Sequence, residues 1–381
     1  VSRATLTIRT LFLLVVWAVC PAAAWQDCSI ERVSVAITGP EANGYSRLPV
    51  VSQDGRFVSF ASLASNIVTG DSNGVDDVFV MNRSTHQIER VSINSAGLEA
   101  NDHSGTNSIS GDGRMVAFIS VATNLDPRDK DSVGDVYVHD RVTHTTTLVS
   151  ERLGTGSSVQ GCFDVAISAD GRFVAFTSLD SNVLPGIPAY NVYVRDLAAQ
   201  TTECVSVGPN GQVADLGSFE CSISEDGRFV AFSSAARNWF PVGANYQGGV
   251  FVRDRQLGVT LPVSMLPGGL MAPGISREPC ISSDGRHVAF VSNCRLLVPG
   301  QPLFSDVLRW DRVTGQIIDA CVAIQEDQPN YPSNRPALSA DGRFVTFETQ
   351  ATNLTVQPGK LPMVIWKDLE TGATVVADET S

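Results

Sequence analysis

The sequence predicts an all-β chain, a six-bladed β-propeller of four-stranded antiparallel blades, and three observations predict it. An Asp-Gly-Arg turn occurs at Asp54, Asp112, Asp170, Asp226, Asp284 and Asp341, with successive gaps of 58, 58, 56, 58 and 57 residues. Each turn joins two short runs rich in β-branched and aromatic residues, and two further runs follow within the same repeat. The runs are apolar at consecutive positions, as in Phe173-Val174-Ala175-Phe176, which suits a sheet covered on both faces. One unit repeated along nearly the whole chain means stacked copies, each burying its neighbours.

The strands of one unit follow in order. Val165–Ser168 and Phe173–Thr177 read as a hairpin about Asp170-Gly171, because glycine tolerates the positive φ of a tight turn. The third run is Val78-Phe79-Val80, Val136-Tyr137-Val138, Val192-Tyr193-Val194, Val250-Phe251-Val252, Val307-Leu308 or Val364-Ile365, according to the copy. A fourth run follows a short polar turn, as Thr146–Ser150 follows Asp140–Thr143 and Ile317-Ile318 follows Thr314-Gly315-Gln316. A four-stranded sheet packed between copies of itself is a propeller blade.

The segment Ser168-Ala169-Asp170-Gly171-Arg172-Phe173-Val174-Ala175-Phe176-Thr177-Ser178, the later Val192-Tyr193-Val194-Arg195-Asp196 and their counterparts resemble the TolB-type propeller repeat, a relative of the WD-type repeats. The likeness covers roughly residues 30 to 381 and implies the propeller fold. TolB-like proteins carry an α/β domain ahead of the propeller, for which this chain leaves no room before Asp54. The resemblance is therefore to the propeller module, and TolB's role in the cell envelope carries over only weakly.

Arg3 and Arg9, the apolar run Leu11–Val19 and then Pro21-Ala22-Ala23-Ala24 read as a secretory signal peptide over residues 1–24. Residues 25–381 are then one propeller domain, periplasmic or secreted. The apolar run is too short to span a bilayer, so no membrane span is expected after cleavage. Cys20 leaves lipidation as an alternative, although Trp17-Ala18-Val19 lacks the small residue usual before such a cysteine. The mature chain keeps Cys28, Cys162, Cys204, Cys221, Cys280, Cys294 and Cys321. Their odd number leaves at least one thiol free or paired between chains. A Cys28–Cys321 bridge is conceivable; the alternative is that these are small core residues. Losing Arg3 and Arg9 takes 27 basic residues to 25 against 40 acidic ones, a net charge of −15. Such a surface repels nucleic acid and acidic membranes.

Ile30–Val35 is the twin of Ile88–Ile93, a fourth-strand sequence ahead of the first blade, and Thr374–Ala377 also reads as a fourth strand. Both ends are expected to meet in the blade holding Asp341, one as its fourth strand and the other beside it.

A residue present in every blade serves the blade. Asp and Gly of the repeated motif make the turn, and its Arg is expected to reach exposed carbonyls or a neighbouring blade. Asn66, Asn124, Asn182, Asn238 and Asn353, twelve residues after each Asp, read the same way; Leu296 replaces them in the fifth copy. Function is expected on the opposite face, where copies diverge. Eight residues before each Asp stand Ser46, Ser104, Cys162, Ser218, Ser276 and Ser333. Beside them are Arg47, Gly105, Phe163, Phe219, Arg277 and Arg335, with Asn43, Asn101, Asp215 and Asn330 just ahead. The candidate ligand-binding residues are Ser46, Arg47, Asn101, Ser104, Asp215, Arg277, Asn330 and Arg335. Their guanidinium forks suit a carboxylate or an acidic peptide; the alternative is a hydrated rim satisfying strand ends. Oxygen side chains at alternate positions, Asp71, Asn73 and Asp77, then Asp129, Asp131 and Asp135, resemble calcium loops. They lack the terminal Glu, and a solvated turn is the alternative. Calcium is the one cofactor suggested.

Enzyme signatures are sparse. No Gly-x-Ser-x-Gly elbow occurs, and His86, His103, His139, His144 and His287 show no metal-ligand spacing. The Ser-x-Asp-Gly turn faintly resembles the Asp box of sialidases, without an assignable Tyr/Glu pair. The expected function is a non-catalytic scaffold, monomeric, for a protein or peptide in the cell envelope or outside the cell. The rival is a carbohydrate- or ester-active hydrolase or lyase in the same mouth, which requires Asp215 and the arginines to converge on one deep pocket.

Overall fold

The structure is a computed structural model describing residues 31–37, 41–153, 160–298, 304–322, 328–355 and 361–377. The proposed leader, residues 1–24, and Cys28 lie outside the described residues. Among the described residues twenty-four strands fall in chain order into successive antiparallel groups of four. Each group is a meander, with the first strand hydrogen-bonded to the second, the second to the third and the third to the fourth. A short parallel contact, Tyr246 opposite Gly274, joins the fourth and fifth sheets. The chain is an all-β propeller; among the described residues no helix is long and apolar enough to cross a membrane.

The apolar runs are buried because each sheet is covered twice. Phe118 on a second strand stacks on Tyr137 of the adjacent third strand at 5.8 Å, and Phe176 on Tyr193 at 5.6 Å. Between blades, Val78, Val80 and Val91 of the first pack with Val116, Phe118 and Tyr137 of the second. Both faces of a strand thus meet hydrocarbon, which removes the apolar/polar alternation of a half-exposed sheet.

At the repeated turn Ser224 Oγ donates to Asp226 Oδ1 at 2.8 Å, and the Arg228 backbone N–H donates to the same oxygen at 2.9 Å. The Arg228 side chain forks onto Asp254, at the end of the third strand of its own blade, at 3.0 and 2.7 Å. Arg114–Asp140, Arg172–Asp196, Arg286–Asp311 and Arg343–Asp368 repeat this pair. In the first blade Asn82 stands in that place, and Arg56 Nε turns back to Asp54 at 2.6 Å. These contacts correct the expected role of the motif arginine, which serves a carboxylate rather than carbonyls. A second arginine takes the carbonyls: Arg312 Nε donates to Gly285 O at 2.9 Å while its guanidinium lies 4.1 Å over Phe229 of the preceding blade. Arg141 over Phe57 and Arg255 over Phe173, each at 4.4 Å, do the same.

At the chain ends, Thr374–Val376 is the fourth strand of the sixth sheet, paired with Met363–Asp368. Residues 31–36 form no strand. Val33 packs against Phe60, Phe79 and Met81 of the first blade, and Glu31 accepts from Arg83 Nε at 3.4 Å. Glu31 repeats, against the first blade, the contact that Glu89 makes with Arg141 of the second at 2.6 Å.

Candidate functional site

The first strands of the blades line the axis, and its two ends differ. At the Asp-Gly-Arg end, Val51, Ile109, Ile167, Ile223, Ile281 and Leu338 form an apolar collar around a cavity of about 330 Å³. Gln53 Nε2 donates across it to Glu225 Oε2 at 3.1 Å. Backbone bonds tie successive blades here, Gly111 N to Ala169 O at 2.9 Å and Ser283 N to Ala340 O at 3.0 Å. This end is built for closure.

The opposite mouth is irregular. Register breaks between Arg47 and Val50, Ser104 and Asn107, Phe219 and Cys221, Arg277 and Cys280, and Asn334 and Ala337. In four blades the bulged residue is left-handed without being glycine: Leu48 at φ 54°, Glu220 at 48°, Glu278 at 53° and Arg335 at 53°. Bulges re-aim side chains, and left-handed backbone of this kind concentrates at functional sites. Here they create a ladder. Asp164 Oδ2 accepts the Cys221 backbone N–H at 2.6 Å, Glu220 Oε2 that of Glu278 at 2.7 Å, and Glu278 Oε2 that of Arg335 at 2.7 Å. Burial pushes the Asp164 carboxyl up to about 6, against the opposing pull of the Cys221 N–H. Counting back six residues from each repeated Asp finds these carboxylates, a register the sequence reading passed over.

The residues chosen from sequence divide into two groups. The serines brace the blade: Ser46 Oγ donates to Ser62 Oγ at 3.0 Å, Ser104 Oγ to Ser120 Oγ at 2.9 Å, and Ser276 and Ser292 pair at 2.9 Å. Asn101 clasps the next loop, with Nδ2 on Thr123 Oγ1 at 3.0 Å and Oδ1 accepting Thr123 N at 2.9 Å, while its own N–H donates to Asn124. Asn330 does the same with Thr352 and Asn353. Asp215 Oδ1 accepts Arg237 N at 2.7 Å. Asn66, Asn124, Asn238 and Asn353 and the rim groups Asn43, Asn101, Asp215 and Asn330 are thus halves of one clasp.

The arginines do face the mouth, each with its own carboxylate. Arg47 Nη2 meets buried Asp76 at 2.8 Å, and His103 Nδ1 lies 3.3 Å from the same group. Arg277 pairs with Glu278, and Arg335 with Glu348 at 3.0 Å. The residue in register with Arg277 is Asn334, not Arg335, whose counterpart is the bulged Glu278. Arg47, His103, Gly105 and Thr106 line a cavity of about 230 Å³ between the first two blades.

Aromatic rings are the other mouth feature. Phe163 and Tyr190 are exposed, and both approach Phe219, with centroids 6.1 and 6.3 Å away. Phe304 stacks on Tyr331 at 6.2 Å, both exposed.

The two acidic loops do converge. Asp71 and Asp77 come together with Glu99, and Asp129 with Asp131 and Asp135. Arg90 sits within the first group, 3.5, 3.2 and 2.8 Å from the three carboxylates. Asn73 contributes its amide nitrogen to Asp77 at 2.9 Å, as a donor. Arg152 faces the second group, pairing with Asp131 and lying 3.6 Å from Asp135. In both, a guanidinium supplies the charge that a cation would bring.

No family model matches this sequence, and no curated protein matches it. Solved structures do. The β-propeller domain of the Trilobed protease from Pyrococcus furiosus is 9% identical with a TM-score of 0.52, covering 88% of this chain and 86% of that one. Oligogalacturonate lyase in complex with manganese is 10% identical with a TM-score of 0.50, covering 86% and 74%. TolB from Acinetobacter baumannii is 15% identical with a TM-score of 0.44; the match covers 90% of this chain and 66% of that one. At such identities the likeness shows the propeller fold and leaves the activity to be argued from the residues.

Proposed function

We propose that this chain is an exported, non-catalytic propeller that binds an extended protein or peptide segment across its channel mouth. The observation that carries the reading is the aromatic cluster of Phe163, Tyr190 and Phe219, held at the mouth with two rings exposed. Aromatic anchors surrounded by paired charges are what binding hot spots are made of. Arg47–Asp76, Arg277–Glu278 and Arg335–Glu348 supply paired charges on the first strands and adjoining segments of other blades. The same pairing weighs against catalysis. Each arginine is engaged with a separate carboxylate and Asp215 is held in a loop clasp, so these groups do not converge on one reacting atom.

The test is selection of displayed peptides on the protein, followed by affinity measurements on variants. Phe219→Ala is expected to weaken the selected peptides about tenfold or more, and Gln53→Ala, at the closed end, to leave them unchanged. Peptides that ignore Phe219→Ala and lose affinity with Gln53→Ala would place binding at the wrong end and sink the reading.

A further inference from the structure

The residue opening the third strand is Asp77 in the first blade and Asp306 in the fifth, both fully buried. In the first blade the charge is answered twice. Ser92 Oγ donates to Asp77 Oδ1 at 2.5 Å, and Arg90 Nη1 lies 3.2 Å from Oδ2. Arg90 stands opposite Phe79 across the strand pair. The fifth blade keeps this register, with Asp319 opposite Leu308. Asp319 therefore occupies the Arg90 position, and Cys321, two residues on, the Ser92 position. A guanidinium has become a second carboxylate, and a hydroxyl has become a thiol. The second blade places Leu148 at the Arg90 position and brings Arg152, from four residues further on, to 3.6 Å from Asp135. The third and fourth blades place uncharged Asn191 and Gly249 at the corresponding register position.

Oxygens of Asp306 and Asp319 and the sulfur of Cys321 lie within 4.8 Å of one another. Asp306 Oδ1 accepts Val307 N at 2.9 Å and Asp319 Oδ1 accepts Cys321 N at 2.7 Å, while Asp306 Oδ2 is buried with no hydrogen-bond partner among the described residues. Leaving a buried carboxylate oxygen unmet is costly. Lys367 of the next blade carries one positive charge nearby, but its ammonium donates to Val322 O at 2.8 Å and forms no hydrogen bond with Asp306 Oδ2.

We propose that Asp306, Asp319 and Cys321 form a binding site for a divalent transition metal of the zinc class, filling the role that Arg90 plays in the first blade. A thiolate beside two carboxylates selects zinc-like ions over calcium or magnesium, which take oxygen ligands. Three protein ligands leave the remaining coordination to water. Binding requires the thiolate, so the Cys321 proton leaves to solvent as the metal enters. The metal joins the third and fourth strands of the fifth blade beside the sixth.

The test uses the full chain, stripped with a chelator and titrated with Zn²⁺ by equilibrium dialysis and with Co²⁺ by absorption. One tight equivalent is expected, together with a thiolate-to-cobalt charge-transfer band. Cys321→Ser should abolish the band. Asp319→Arg, which restores the first-blade arrangement, should weaken Zn²⁺ more than about tenfold while keeping a thermal midpoint in chelator at or above that of the unsubstituted chain. Should Cys321→Ser fail to fold, Asp319→Asn serves in its place, with the same loss of affinity expected. Zn²⁺ affinity equal in the unsubstituted chain and the folded variants, or cobalt bound without the band, would overturn the proposal.

Discussion

Gly227→Ala tests what aligns the blades. Gly227 has φ +70°, and a Cβ there would lie 2.1 Å from Cδ2 and 2.9 Å from Cβ of Phe173 in the preceding blade. That ring cannot swing clear, because the guanidinium groups of Arg172 and Arg255 lie 4.7 and 4.4 Å from its centroid. Gly55 has the same φ of +70°, but its Cβ would meet only Arg83 Nη1 at 3.9 Å. Gly55→Ala therefore carries the left-handed conformation alone, about 1 kcal/mol. Gly227→Ala adds overpacking of about 1–3 kcal/mol, for a total of about 3 kcal/mol. Urea unfolding followed by tryptophan fluorescence should show a clearly lower midpoint for Gly227→Ala than for Gly55→Ala. Equal midpoints would refute the reasoning, because the glycine would then serve only its own turn.

Three further outcomes follow from the charges. Asp164, pushed up to about 6 chiefly by burial, binds its proton more tightly folded than unfolded, so stability falls as pH rises from about 4 to about 6. Asp164→Asn should flatten that part of the profile in thermal melts, and an unchanged slope would count against it. Asp196 is held down at about 2 by the Arg172 fork; its contribution is present above about pH 4 and disappears as pH falls toward 2. Arg172→Ala should remove this acid sensitivity, measured as the difference in midpoint between pH 5 and pH 2.5. Arg90→Ala strips the cation from buried Asp71 and Asp77 and from Glu99, a loss of about 3 kcal/mol. Calcium should recover part of that loss in the variant and leave the unsubstituted chain unmoved; an equal response in both would mean that Arg90 does not fill the cation's place.

Most of the fold could be read from the chain because it is local chemistry repeated. Asp170-Gly171 makes a hairpin wherever it falls between two β runs, and Phe173–Phe176 is apolar throughout because both faces are covered. The candidate site was less legible. Asn101 and Asn124 stand far apart in their repeat, so nothing in either residue announces that they form one clasp. Arg335 stands six residues before Asp341 as Glu278 does before Asp284, so its counterpart can be counted, but the count does not show that this position is a left-handed bulge that turns the side chain toward the next blade. Glu220 and Glu278 look like ordinary polar strand residues until each is seen holding the backbone of the next blade.

Turn propensity and hydrophobic patterning act within a few residues, so the repeat unit, its spacing and its strand order are written in the chain. Tertiary structure alone decided which charges meet. Arg228 reaches Asp254, Arg90 stands among Asp71, Asp77 and Glu99, and Asp319 sits where Arg90 does in another blade. Such pairings join residues that are distant in sequence and adjacent across a sheet, and a carboxylate is a structural anchor or a ligand according to what the fold sets beside it.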